Sequence, residues 1–439
     1  MTLERRIHII HVGSVTNKGT YALLKSEMGE LSRLYESLEI SVSTTDLDSL
    51  RRLEPTLIIC PPLVDIPFEK ADAETRRNGL GREAFIYKFY LATYTLFMVL
   101  QPFLSIISSA FEKVGVPAYR HETIRRIRNS DMVISTADEN FKEGSSNLPF
   151  NVYWRVIWWS MLFARMWDLI IAKRIFKKPV IVFPNSVGPF RTRIGRFMAR
   201  MALNNADFVM LRESYSYKSL KELGTNTASV ITSDIVLLLE NTPIHLTESL
   251  SRPVIGVSPG YYAASFSEEK QQEYVSTLSA VLDRMIEENG VDVVFLPHAV
   301  SGLKGDDLSV CEIVLQNMLH KDRARIIHTE MLEDFKAYLG QLDLLVSSRM
   351  HPAVLACSAK VPVVVIFYDY KQTGFLSQLG LGRFAIDINH LSFEELLLKM
   401  EFALKDRQNI KEQLEIRIPI LQNDLRAKIE SVCATYLPR

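Results

Sequence analysis

Several short polar segments each follow an apolar, β-branched run, and together they hold most of the residues able to do chemistry. Ser347-Ser348-Arg349-Met350-His351-Pro352 precedes an apolar stretch of small residues, Ala353 to Ala359. Pro352 suits a first helical turn, so Arg349 and His351 belong at a strand tip beside a helix N-terminus. A guanidinium and backbone N–H groups at such a place suit a phosphate or a carboxylate. His351 titrates near neutrality if unperturbed and could serve as general acid or base. The plainer alternative is an arginine and a capping histidine that only satisfy the helix start. Leu211-Arg212-Glu213-Ser214 offers a second strand-tip cation, with Ser214 expected to cap a helix over 215–222. Its alternative is a surface Arg212–Glu213 pair.

Further segments follow the same pattern. Asn185-Ser186-Val187-Gly188-Pro189-Phe190 contains a Gly-Pro pair that lets the backbone turn tightly beside a ligand, or is an ordinary connecting turn. Tyr368-Asp369-Tyr370-Lys371 supplies Lys371 as a cation for a multiply charged ligand, or as a helix-start charge pair. Pro297-His298 places a lone histidine at another strand tip. The first loop, Gly13 to Thr20, matches neither G-x-G-x-x-G nor G-x-x-x-x-G-K-[ST], so neither standard nucleotide loop is present. Asn17 and Gly19 there could still hold an acceptor or an anion. One small polyanionic ligand is the simplest common cause of these features.

Composition narrows the alternatives. The chain has 439 residues, 47% hydrophobic and 23% charged, which suits a folded protein of two or three domains at about 150 residues each. Fifty-one basic and 51 acidic residues leave no net field for nucleic acid. The four cysteines, Cys60, Cys311, Cys357 and Cys433, lie far apart and fit a reducing compartment rather than a disulfide scaffold. No His, Cys, Asp or Glu cluster has metal-ligand spacing, and no G-x-S-x-G elbow occurs. The N-terminus reads as a first strand, not a signal peptide, and the expected location is cytoplasmic.

The elements that must position these residues alternate. Strands are expected at 7–12, 38–44, 56–60, 131–135, 179–184, 207–211, 229–232, 253–258, 292–296, 324–328, 343–347 and 362–367. Amphipathic helical stretches such as 192–205, 268–289 and 331–340 lie between them. This alternation implies α/β architecture with parallel sheets, and twelve strands divide naturally into two doubly wound, Rossmann-like domains facing a cleft. The expected division is 1–245, with a hydrophobic helical insertion at 85–115, then 250–390, with helices at 391–439 packing back across both. The polar segment 241–252 is the boundary.

Two apolar segments bear on location. Phe89 to Phe111 holds no charged residue and is long enough to cross a bilayer. Strand-like runs on both sides of it argue against a span, leaving a buried or amphipathic helix and an interfacial docking helix. Residues 153–171 contain all four tryptophans with Arg155 and Arg165, which suits a headgroup interface or a core helix. Peripheral membrane contact through 89–111 and 153–171 is the interfacial reading.

Taken in order over roughly 7–385, these motifs resemble the polysaccharide pyruvyl transferase family. The residues that carry the likeness are Asn17 to Thr20, Lys178 to Phe190, Ala206-Asp207 with Arg212-Glu213-Ser214, Ser233-Asp234, Arg349-Met350-His351 and Tyr368 to Lys371. The resemblance implies two Rossmann-like domains arranged as in GT-B glycosyltransferases, the first on the acceptor side and the second on the donor side. It implies phosphoenolpyruvate as donor, a sugar of a cell-surface polysaccharide or lipid-linked glycan as acceptor, and a pyruvate ketal as product, with no cofactor and no metal. Arg349 and His351 would be catalytic. Arg212, Arg349, His351, Lys371 and His298 would bind the donor, and Asn17, Gly19, Ser186 and Gly188 the substrate. Two loops depart from the family pattern. Ser135 to Asn140 replaces a common Gly-Gly pair, and Asn185 stands where many members have a Gly-Gln start; both are expected on the acceptor side. Two other readings use the same scaffold: a GT-B glycosyltransferase taking a nucleotide sugar, which the Arg349-Met350-His351 tip disfavours, and a non-catalytic glycan-assembly protein.

Overall fold

The computed structural model describes residues 4–66, 85–113, 119–144, 152–240, 253–260, 268–300 and 306–438. The expected boundary at 241–252 lies outside the described residues. The first sheet contains β1 (Arg5–Val12), β2 (Leu38–Thr44), β3 (Ile58–Cys60), β4 (Met132–Ser135), β5 (Val180–Asn185), β6 (Phe208–Leu211) and β7 (Ala228–Ile231). The second contains β8 (Val254–Ser258), β9 (Asp292–Phe295), β10 (Ala324–Ile326), β11 (Leu344–Ser347), β12 (Val363–Phe367) and β13 (Ala385–Asp387). Their spatial orders are β3-β2-β1-β4-β5-β6-β7 and β10-β9-β8-β11-β12-β13, with every pairing parallel. The α/β class with two doubly wound sheets is therefore as expected. β13 is the one strand the sequence pattern did not mark, because its three residues give too short a run, with Ile386 alone fully buried.

Side-chain alternation explains the layers. Ile9, Ile134, Ile181 and Phe183 point into a core continuous with that of the second sheet. Their neighbours Ile10, Val133, Val180 and Val182 point into a separate core on the outer face of the first sheet. Successive strand residues face opposite sides, so strands covered on both faces must be apolar at every position. The order of each sheet reverses at β1/β4 and at β8/β11, and ligands of such sheets bind beyond the carboxyl ends of the strands there.

The C-terminal helices Phe393–Lys405 and Arg407–Tyr436 tie the two sheets together. Gln413 donates to the Leu379 carbonyl (2.6 Å) and Gln422 to that of Leu237 (2.6 Å). Arg426 pairs with Glu30 (3.0 Å), and Tyr35 donates to the Leu437 carbonyl (2.8 Å).

One expectation needs correction, and two of the open alternatives narrow. Ser214 is the first residue of the helix Ser214–Glu222; Glu213 occupies the cap position, with no side-chain cap bond. Residues 89–111 lie within the helix Phe85–Lys113, which is not buried: only 28% of its most apolar window is covered. By length and composition this helix could cross a membrane, but β3 before it and β4 after it belong to one sheet, so it does not cross alone. The Arg212–Glu213 pair is not on the surface, since both residues are buried.

The connection after β5 depends on one carboxylate. Buried Glu143 accepts from Arg191 N (2.7 Å), Thr192 N (2.8 Å), Thr192 Oγ1 (2.6 Å) and Trp159 Nε1 (2.7 Å), and so anchors the start of the helix Arg193–Leu203. Glu143→Ala strands four donors and is expected to lower unfolding stability by about 3 kcal/mol, read by chemical denaturation.

Candidate active site

The tips of β11 and β12 build one wall. Arg349 occupies the cap position of the helix Met350–Ser358. Its backbone N–H donates to Ser347 Oγ (3.1 Å), which in turn donates to the Arg349 carbonyl (2.7 Å). Tyr274 and Gln372 hold neighbouring Ser348 through its hydroxyl (2.8 Å) and its carbonyl (3.1 Å). The Arg349 side chain does not reach into the cleft alone. Its Nε lies 3.1 Å from both oxygens of fully buried Asp307, and its Nη2 lies 2.5 Å from Oδ1. An anion at this tip would share a guanidinium that already has one carboxylate.

His351 faces the other domain. The helix Lys18–Leu34 begins directly against it: a Cβ built on Gly19 would overlap the His351 ring and lie 3.0 Å from His298 Cε1. Asn17 caps this helix by accepting from Gly19 N (3.0 Å), and it forms an antiparallel bridge with Ala299. The His298 and His351 rings lie nearly parallel with centroids 6.1 Å apart. His351 Nε2 and both ring nitrogens of His298 are buried without a hydrogen-bond partner among the described residues. Burial lowers the His351 pKa; Asp234 opposes this and Arg212 reinforces it. Burial, with His351 and Arg349 nearby, holds His298 far below its ordinary range. Both imidazoles are thus neutral at pH 7, with His298 the weaker base.

The first sheet supplies the opposite wall. Buried Arg212 donates from Nε to Ser186 Oγ (2.7 Å) and from Nη1 to Asp234 (3.0 Å). Its Nη2 is buried with no partner among the described residues. Gln378 of the second domain donates to the Arg212 carbonyl (2.9 Å). Gly188, at φ +82°, offers its carbonyl to Tyr370 Oη (2.5 Å), and Tyr370 stacks on Tyr215 with ring centroids 3.8 Å apart. Lys371 reaches across to Glu139 (2.5 Å), which Lys142 also contacts (2.5 Å). Lys142 extends to Asp369 as well (3.3 Å). All nine residues singled out from sequence therefore gather where the two sheets face each other. Arg349 and Lys371 are already matched by Asp307 and Glu139.

Other groups here carry weaker sequence signals. His11, the penultimate residue of β1, takes a left-handed conformation (φ +69°), where the pairing with β2 shifts register. Its Nδ1 lies 2.9 Å from Ser135 Oγ and its Nε2 lies 3.4 Å from Asp168. In sequence His11 reads as part of an apolar strand and Asp168 as a stray acid in an aromatic helix. Glu27, fully buried, accepts from Thr136 Oγ1 (2.9 Å) and from Ala137 N. Asn185 accepts from Asn140 N (2.8 Å) and donates to the Thr136 carbonyl (3.0 Å). The two segments that depart from the family pattern are therefore hydrogen-bonded to each other. Among the described residues, no group of three or more His, Cys, Asp or Glu could hold a metal ion.

Two facing Rossmann-type sheets, paired charges at the strand tips between them and a C-terminal helix crossing back define a GT-B-type scaffold. Solved structures share this fold. A UDP-N-acetylglucosamine 2-epimerase of Listeria monocytogenes aligns at TM-score 0.60 and 13% identity, covering 99% of this chain and 97% of that one. One from Neisseria meningitidis bound to UDP-GlcNAc aligns at 0.54 and 11%, covering 98% and 99%. The glycotransferase of kitacinnamycin aligns at 0.51 and 12%, covering 99% and 100%. The model of the polysaccharide pyruvyl transferase family matches residues 17–370, and the chain belongs to that family. It is 24% identical over 340 residues to the amylovoran biosynthesis protein AmsJ of Erwinia amylovora, across 73% of this chain and 78% of that one.

Glu27 yields a pH test. Burial raises its pKa to about 8, against the hydrogen bonds from Ala137 and Thr136. Between about pH 4.5 and 8 the folded state then holds a proton that the unfolded state releases, so this group's contribution to stability falls as pH rises. His8, lowered to about 3 by burial, acts in the opposite sense below pH 6.5. The measure is therefore the stability of wild type minus that of Glu27→Gln, followed by denaturation. That difference is expected to decline from pH 5 to 8 and then level.

Proposed function

We propose that this transferase moves the pyruvate unit of phosphoenolpyruvate onto a sugar of a cell-surface polysaccharide or lipid-linked glycan, as a ketal bridging two hydroxyls. The observation that carries the reading is the buried Arg212 with one N–H group unpartnered, facing a wall that bears a second guanidinium and a neutral buried imidazole. Phosphoenolpyruvate has a phosphate and a carboxylate; the unpartnered Nη2 of Arg212 would donate to one of them, and Arg349 would share its guanidinium between the other and Asp307. Ketal formation adds a proton at the methylene carbon, breaks the C2–O bond to phosphate and forms two C2–O bonds to the sugar. Of the two hydroxyl protons released, one is the equivalent of that taken by the methylene carbon and the other leaves with phosphate. The electron balance calls for no redox cofactor.

In this scheme Arg212 and Arg349 hold the donor, with Lys371, His298 and His351 around it. His351 exchanges protons as the hydroxyls attack. Asn17, Gly19, Ser186 and Gly188 line the acceptor side, where the His11–Asp168 pair offers a third buried imidazole. The working place in this scheme is the cytoplasm.

Thermal unfolding with phosphoenolpyruvate, in parallel with a panel of UDP-sugars, tests the donor. At about 100-fold its Kd a ligand adds about 2.7 kcal/mol, a shift of a few degrees for a chain of this size. Phosphoenolpyruvate alone is expected to give that shift. Arg212→Lys and Arg349→Lys keep the charge but cannot hold Asp234 or Asp307 and donate to a ligand from one planar group, and each is expected to weaken phosphoenolpyruvate about tenfold or more. His351→Gln is expected to retain the shift and lose acceptor-dependent phosphate release by about 100-fold or more. A shift with a UDP-sugar alone would make the protein a glycosyltransferase. A shift with neither would favour the non-catalytic reading.

A further inference from the structure

The outer face of the first sheet is covered by the helices Phe85–Lys113, Val152–Ile170 and Arg193–Leu203. Met98, Leu162, Leu169, Met198 and Ala199 from these helices share one core with Ile10, Val133, Val182 and Val209 of the strands. Their opposite sides therefore form the outermost layer on that side of the molecule. Neighbouring helices touch through Phe103–Trp167 (centroids 6.1 Å apart) and through Trp159 Nε1 donating to Thr192 Oγ1 (3.1 Å).

That outer layer is strongly apolar. Phe89 is 59% exposed and Leu96 68%, with Phe97, Leu100 and Ile107 also exposed. The helix is 29 residues, about 44 Å at 1.5 Å per residue, and carries no acidic side chain from 85 to 111. The helix Arg193–Leu203 repeats the pattern in amphipathic form. Ile194, Phe197 and Met201 are exposed at spacings of three and four, so they share one side. Exposed Arg193, Arg196 and Arg200 flank them, none in an ion pair among the described residues, and the helix has no acidic residue. Contiguous exposed apolar surface of this extent marks an interaction face.

We propose that this face seats the protein on an anionic phospholipid surface. Its apolar side chains would enter the acyl boundary while the three arginines and Lys88 meet headgroup phosphates. Charge complementarity selects this occupant. A two-fold contact with a second copy would enclose the arginines against helices that offer no exposed carboxylate from 85 to 111 or 193 to 203. Apolar residues flanked by cations on one helix side are the signature of a helix lying in a lipid interface. The inference does not depend on the choice of donor.

Flotation of the purified protein with vesicles tests it. One set is phosphatidylcholine alone; the other contains about one third phosphatidylglycerol, at low and high salt. The protein is expected to float with the anionic set and to release as salt rises. Arg193→Gln, Arg196→Gln and Arg200→Gln together are expected to weaken this binding by about two orders of magnitude, at about a factor of five to six per cation. Phe89→Ser, Leu96→Ser and Leu100→Ser together are expected to abolish it. Both variants should keep the wild-type unfolding midpoint and any donor-induced shift, which separates failure here from failure of the donor reading. Lack of flotation with anionic vesicles, or flotation unchanged in both variants, would overturn the proposal. So would a lipid-free dimer that the apolar triple variant dissolves.

Discussion

At Gly19 the first domain meets the second with no room for a methyl group. The helix Lys18–Leu34 presses its start against His351 and His298, and any larger residue would drive the imidazoles aside. The rest of the cleft is arranged around that close approach. Asn17 bridges to Ala299 on one side of it, while Tyr370 closes on the Gly188 carbonyl and Lys371 on Glu139. These contacts bring two histidines, two arginines and their carboxylate partners into a space largely withdrawn from water. Close-packed interiors transmit such a constraint instead of absorbing it.

Burying so many charges costs more than it returns unless nearly every polar atom finds a partner. Most do: Asp307 takes Arg349, Asp234 and Ser186 take Arg212, and Glu139 takes Lys142 and Lys371. Unpartnered buried atoms occur elsewhere in the molecule too, but in the cleft they include Arg212 Nη2, His351 Nε2, both nitrogens of His298 and Asp369 Oδ1. Unsatisfied buried polar groups are few in folded proteins, and each one calls for an explanation. A ligand rich in acceptor oxygens would satisfy the guanidinium, and a hydroxyl in transit would satisfy a neutral imidazole. The same balance explains why the departing loop at 135–140 holds its shape, since Glu27 and Asn185 supply the hydrogen bonds that its backbone needs.

The outer face follows a different logic. Its strands are sealed by one core, so the helices above them are free to present a second apolar surface outward. The cleft needs order and dryness, whereas that surface needs only area and positive charge. The two do not compete, because the sheet separates them.

Much of this was legible in the residues themselves. Short β-branched apolar runs marked twelve strands, and their regular interruption by helical stretches required parallel sheets wound on both faces. Each cation at a strand tip was visible as a polar break after an apolar run, which is why Arg212, Arg349, His351 and Lys371 stood out. The sequence could not show that Asp307 and Glu139 already hold two of those cations, because each pair joins residues 42 or 232 positions apart. Nor could it expose His11 with Asp168, since a histidine inside an apolar strand carries no periodic signal of its own. It also left the helix around 89–111 undecided between burial and exposure, for an apolar helix reads alike in both settings. Local pattern follows from the chain's own periodicity. Which charges are matched and which apolar faces stay uncovered depends on distant segments meeting, and that only the tertiary structure decided.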